Sequence, residues 1–294
     1  MQVAIPRPHP QTASRQTHHL EIKTMSMDAR REPMINAPLI VVLTIGLFVA
    51  VHLFVLSTNP DMDARWLLSL AFIPARYDTI EGAALPGAPW SAYTSVITHM
   101  FVHADWLHLG INSAWMLAFG AIIARRMSAL RFIGFWLLCG LGGAGLFYVV
   151  NAMAFAPMVG ASGAVSGLMG GVFRFLFHAG QYGGFAGAHA SPRNVPLMPL
   201  PEALRNGRVL FALGIWIGIN LLFATDLASV IAEGQIAWEA HLGGFLVGFL
   251  FIGPFDQVPP RKPDFVWVED PEPDNDPRGP WSSRPPGSDD QFRH

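Results

Sequence analysis

Ala240-His241-Leu242-Gly243-Gly244-Phe245-Leu246-Val247-Gly248-Phe249-Leu250-Phe251 is the stretch that decides the fold. It is apolar except for one imidazole near its start, and it belongs to an uncharged-to-Pro254 run over 236–254 broken only by Glu239 and His241. A helix needs about 20 apolar residues to cross a bilayer core. Working outward, five more such runs occur, at 38–56, 105–124, 130–150, 159–178 and 208–225, the fifth in chain order being the shortest. No internal repeat is evident. The expected architecture is therefore all-α: a polytopic membrane helix bundle with six transmembrane helices.

Composition agrees. Hydrophobic residues make up 51% of the chain and charged ones 14%, where soluble domains carry nearer a quarter charged. Net charge is −2, which argues against a nucleic-acid partner. Cys139 is the only cysteine, so no disulfide within the chain and no cysteine-built metal site is available. Glycine is frequent inside the apolar runs, as it is where membrane helices approach closely.

Three regions follow. Residues 1–37 are polar and basic, read as a disordered cytoplasmic tail rather than a transit peptide; Met25 and Met27 offer later starts. Residues 38–254 form the membrane domain. Residues 255–294, rich in Pro, Asp and Glu, cannot bury enough apolar surface to order themselves. In the long loop 57–104, Trp66, Leu67, Leu68, Leu70, Phe72 and Ile73 form an apolar stretch too short to span, expected to lie in the interface or to dip partly into the membrane.

Orientation follows from Lys and Arg near the span ends. Arg30 and Arg31, then Arg125, Arg126 and Arg131, then Arg193, Arg205 and Arg208, then Arg261 and Lys262 fall on one side. The opposite side holds Arg65 and Arg76. Both termini are thus expected in the cytoplasm, with a bacterial inner membrane as the compartment.

Polar groups inside spans are costly, and each is a functional candidate. They are His52, His108, Asn112, Ser162, Ser166, Arg174, Asn220, Glu239 and His241. With the N terminus inside, the second, fourth and sixth spans all run inward from the outer side. That sets His108, Asn112, Ser162 and His241 at one shallow depth. A serine hydroxyl needs a base to become a nucleophile, and His241 is the histidine at that depth in the last three spans. Ser162 begins a helix, where backbone N–H groups favour an anion. His108 and Asn112, four apart, share a face and offer side-chain donors. Gly160 and Gly163 flank the serine; Gly244 and Gly248 share the face of His241 and allow tight packing. Glu239, two residues from His241, points elsewhere. His52 and Asn220 read as bonds between helices, Arg174 as a side chain snorkelling to the cytoplasmic interface, and His99 and His103 as structural. The ligand set for a metal around them is incomplete.

At these residues the chain resembles the rhomboid family of intramembrane proteases. Gly160-Ala161-Ser162-Gly163 is similar to its Gly-x-Ser-Gly motif. Ala240-His241 with Gly244 and Gly248 is similar to its Ala-His-x-x-Gly-x-x-x-Gly motif, and His108 with Asn112 to its His-x-x-x-Asn signature. The resemblance implies a Ser162–His241 dyad. It implies an oxyanion hole from His108, Asn112 and backbone N–H groups at Ala161 and Ser162. It implies hydrolysis of peptide bonds in or near the transmembrane segments of single-span or polytopic membrane proteins, without cofactor or metal. It also implies a cap formed by about 226–236. Two departures stand out. Thr94 and Ser95 occupy the place of a Trp-Arg pair, and Ser166 that of a tyrosine which steadies the histidine, so His241 must be held by other packing. A proteolytically dead binder of membrane proteins would lack Ser162 or His241; a transporter would show repeat symmetry or paired midplane charges. A metalloprotease would need His-Glu-x-x-His.

Overall fold

The computed structural model describes residues 37–87, 89–178, 191–225 and 236–259. Both tails, apart from a few residues beside the membrane domain, lie outside these, as does the expected cap except Ile236. Six long helices occupy the six apolar runs: α1 (Leu39–Leu56), α2 (Trp106–Ala124), α3 (Ala129–Val150), α4 (Ser162–Leu176), α5 (Gly207–Phe223) and α6 (Trp238–Phe251). Among the described residues no strand ladder forms; Phe72 and Met158 make one isolated bridge.

Helices α1, α2 and α3 are long and apolar enough to cross a bilayer. Helices α5 and α6, of 17 and 14 residues, are apolar but shorter, and α4 has 15 residues. The expected fourth span is cut short at its start because Gly160 has φ +110°, a conformation outside the helix that glycine alone adopts without strain. Large apolar side chains face outward along α1 and α5, among them Leu39, Leu43, Leu47, Phe211, Ile215 and Ile219. Such continuous apolar cover suits lipid, not water. Helix α2 takes one π-helical turn at Met116–Gly120.

Glycine sets the packing of the centre. A Cβ on Gly244 would strike the carbonyl of Gly163, and one on Gly248 the carbonyl of Gly167. The contacts advance together along both chains, so α4 and α6 lie parallel. On α3, a Cβ at Gly143 would lie 2.7 Å from the carbonyl oxygen of Ala240 and 3.4 Å from the Cα of Gly163. With no hydrophobic drive between helices in lipid, this backbone-to-backbone approach supplies the van der Waals contact that holds them.

Two arginines close the far end. Arg126 is fully buried, pairs with Asp256 at 2.6 Å, donates to the carbonyls of Pro192 and Val195, and lies 4.1 Å from the Phe175 ring centroid. Arg174 corrects the snorkelling expectation. It is 4% exposed. Its guanidinium donates to the carbonyl of Met198 at 3.0 and 2.7 Å and to that of Phe249 at 2.7 Å. Backbone oxygens near the end of α6 and in the loop between α4 and α5 replace water as its acceptors.

The first loop folds into short helices at Pro60–Leu70, Ala75–Asp78, Ile80–Ala83 and Ser91–Thr98. Phe72 and Ile73 are buried, which ties the apolar stretch to the protein. Arg76, expected on the outer side, is buried and donates to the carbonyls of Leu68, Leu85 and Pro86.

Candidate active site

Ser162 is the first residue of α4. The chain reaches it through a segment that the first loop grips. Phe72 and Met158 exchange backbone hydrogen bonds of 3.0 and 2.8 Å, and the Gly160 N–H donates to the His99 carbonyl at 2.9 Å. Gly160 then turns the chain through its positive φ, and Ala161, fully buried, caps the helix without a side-chain bond. The leading N–H groups of a helix have no partner within it, so those at the start of α4 form a donor cluster beside the Ser162 hydroxyl.

His241 lies in the first turn of α6. The glycine contacts set its register against α4: Gly163 faces Ala240, the residue before His241, at 3.1 Å from a Cβ position to its carbonyl oxygen. The serine and the histidine therefore stand at the same end of two parallel, touching helices. Glu239 is turned away and accepts a hydrogen bond of 3.0 Å from Asn151.

His108 and Asn112 converge on the same point from α2. A Cβ on Gly160 would lie 2.6 Å from His108 Nε2 and 3.8 Å from Asn112 Nδ2. Asp105 caps α2 by accepting from the His108 N–H at 2.8 Å, which fixes the turn that carries His108. The Asn112 amide donates back to the His108 carbonyl at 2.9 Å. His108 and Asn112 thus lie beside Gly160, two residues before Ser162, and His241 follows Ala240, which faces Gly163, one residue after Ser162.

His99 and His103 stand behind them. His99 donates from Nδ1 to the Ser95 carbonyl at 2.8 Å. The His103 ring packs edge-on to His108 at 5.2 Å. Burial lowers His99 to about 4, and burial together with the neighbouring His108 and His52 lowers His103 to about 3. Both rings are neutral near pH 7. Among the described residues no group of three or more His, Cys, Asp or Glu side chains is placed to hold a metal. Ser95, at the place of the absent Trp-Arg pair, is fully buried against Tyr77, with 3.1 Å between the two hydroxyls.

Asn220, expected to make a bond between helices, makes one to a partner that the sequence reading did not name. It lies near the end of α5, is 5% exposed, and its Oδ1 is 3.1 Å from His241 Nδ1. The signal was present in the depth argument. In the orientation expected from the sequence the fifth apolar run leads outward, so an asparagine in its last turn would reach the level of His241.

A bundle of apolar helices, three of them long enough to cross a bilayer, defines a polytopic membrane protein. The Rhomboid domain model matches residues 90–255, more than half of the chain, and the chain belongs to the rhomboid family, a family of intramembrane serine proteases. It is 25% identical over 233 residues to RHOMBOID-like protein 6, mitochondrial, of Arabidopsis thaliana, covering 72% of this chain and 66% of that one. It is 26% identical over 162 residues to Rhomboid protein 1, mitochondrial, of Saccharomyces cerevisiae, covering 53% and 40%. It is 26% identical over 155 residues to Rhomboid protease GlpG of Haemophilus influenzae, covering 53% and 66%. The chain thus spans between two fifths and two thirds of the length of these relatives.

Proposed function

We propose that this chain is an intramembrane serine endopeptidase that cleaves transmembrane segments of membrane proteins with a Ser162–His241 dyad. The observation that supports it most is the parallel, glycine-tight register of α4 and α6, with both residues at the same end. In this reading the Ser162 hydroxyl oxygen attacks the scissile carbonyl carbon while its proton passes to His241 Nε2. The carbonyl electron pair moves onto oxygen, and that oxyanion meets the N–H groups at Ala161 and Ser162 with His108 and Asn112 beside them. The intermediate collapses, the C–N bond breaks, and the His241 proton goes to the leaving amine. Water then enters, gives a proton to His241 and hydrolyses the acyl-serine by the same steps in reverse roles.

All six helices cross the bilayer in this reading, the three short ones at a locally thinned site. Both termini face the cytoplasm and the dyad opens toward the opposite side. A bacterial inner membrane is the compartment it carries, in line with the Haemophilus relative. Uptake of the full chain by isolated mitochondria with removal of residues 1–37 would instead favour the compartment that the other two relatives' names give.

The test is cleavage of a reporter transmembrane segment by purified protein in liposomes. Ser162→Ala and His241→Ala should each lower the rate by at least about a thousandfold, and a serine-directed phosphonate should label the wild type but not Ser162→Ala. Product mapping should place the cut in the half of the segment away from the cytoplasm. Equal cleavage by wild type and either variant overturns the dyad, and a cut in the cytoplasmic half overturns the orientation.

A further inference from the structure

Resting on that reading, we propose that Asn220 is a positioning residue for His241, fixing the ring so that Nε2 is the basic nitrogen. The argument is a chain of hydrogen bonds that allows one assignment. The Asn220 Nδ2 lies 2.9 Å from the carbonyl oxygen of Trp216 one turn earlier on α5. A carbonyl only accepts, so the amide nitrogen must face Trp216 and Oδ1 must face His241. Oδ1 also only accepts. The His241 Nδ1, 3.1 Å away, must therefore carry the ring hydrogen. A neutral imidazole has one N–H, so its Nε2 is bare and can take the Ser162 proton. With the opposite tautomer, two acceptors would face each other inside an apolar bundle, at the full cost of an unsatisfied buried group.

The backbone placement makes this contact a built one. Helix α5 contributes few buried side chains, Val209 and Asn220, and most of its surface faces outward. It meets α6 antiparallel in two rungs. Trp216 stacks on Phe245, centroids 4.1 Å apart and planes within 20°, and one turn further Asn220 meets His241, which is one turn before Phe245. The stack sets the distance at which the amide reaches the ring. When His241 gains the serine proton, Oδ1 keeps accepting from Nδ1–H and its dipole meets the new positive charge. A carboxylate would meet it more strongly, but a buried charge in this setting is expensive when the ring is neutral, so an amide is the orienter suited to a membrane-embedded base.

The experiment uses the full chain in liposomes, with Asn220→Ala, Asn220→Leu and Asn220→Asp. Removal of the acceptor should lower kcat by about 10- to 100-fold in Asn220→Ala and Asn220→Leu with KM within about twofold. Asn220→Leu keeps the bulk between α5 and α6, so its melting temperature should fall by no more than the loss of one buried hydrogen bond accounts for, and activity is compared per folded molecule. Asn220→Asp, which keeps an acceptor oxygen at the same reach, should retain more activity than either. A 15N spectrum of histidine-labelled protein, with His241→Ala to assign the signal, should show the Nδ1–H form in the wild type and lose that preference in Asn220→Leu. Cleavage by Asn220→Leu within twofold of wild type overturns the proposal, as does an Nε2–H form in the wild type. A wild type that neither cleaves nor is labelled by the phosphonate overturns the protease reading itself, which is a separate outcome.

Discussion

Glycine means two different things in two neighbouring helix contacts. Between α4 and α6, a methyl group at Gly170, Gly244 or Gly248 would strike the backbone of the facing helix, one at Gly167 would strike Cys139 of α3 and the Gly244 carbonyl, and one at Gly163 would lie a tight 3.1 Å from the Ala240 carbonyl oxygen. On α5, nothing lies within 4 Å of a Cβ at Gly207, Gly214 or Gly218. The first set is a requirement of packing and the second is not. The same residue type therefore marks a rigid seam in one place and an open helix face in the other. The seam carries the backbones of Ser162 and His241, while α5 meets His241 through the hydrogen bond of Asn220, beside the Trp216 stack. A geometry that must hold to a fraction of an ångström sits on the seam; the setting of one ring sits on the looser helix.

The largest effect that would break this contrast is at Gly248. A Cβ there meets the carbonyl oxygen, carbon and Cα of Gly167, none of which can rotate away. Overpacking a tight core costs roughly 1–3 kcal/mol for added methyl groups, and here the whole helix must move. Gly248→Ala should lose about 2 kcal/mol or more of stability in bicelles, and Gly248→Val should fail to give folded protein. Phosphonate labelling of Ser162 should fall with it. A Gly248→Ala protein that melts with the wild type would show that α4 and α6 are not in backbone contact.

The intermediate effect is on the looser side. Trp216→Ala removes the stack on Phe245 and, with it, the spacing that presents Asn220. Stacked aromatic pairs contribute about 0.5–1.5 kcal/mol beyond their area, so thermal unfolding should report a loss of about 1–2 kcal/mol. Cleavage should drop more than that stability change accounts for, because the asparagine loses its setting. A drop in stability with full activity in the folded fraction would separate α5 from the site.

Why the seam was legible in the sequence and the looser contact was not has a physical basis. The six long helices were readable from run length, and Gly244 and Gly248 from their spacing after His241, because one face of one helix carries that information. The start of α4 was read three residues early, since a run of apolar composition does not reveal that Gly160 leaves the helix at φ +110°. Arg174 was expected to reach the interface, yet the carbonyls of Met198 and Phe249 satisfy it where it lies. The partnership of Asn220 and His241 depends on how two antiparallel helices are set against each other, a quantity no single helix encodes. The register of Trp216 against Phe245 is what decides it.

The smallest expected effect sharpens the contrast from its other side. Gly214 and Gly218 share a face of α5, four residues apart, with open space where their side chains would be. Alanine there removes the conformational freedom of glycine in the unfolded chain without meeting any atom of this protein. The helix propensity gained is at most about 1 kcal/mol per site. A Gly214→Ala, Gly218→Ala double variant should therefore melt at or slightly above the wild-type temperature and cleave the reporter at the wild-type rate. If cleavage falls while stability holds, the bare face of α5 is needed by something other than folding.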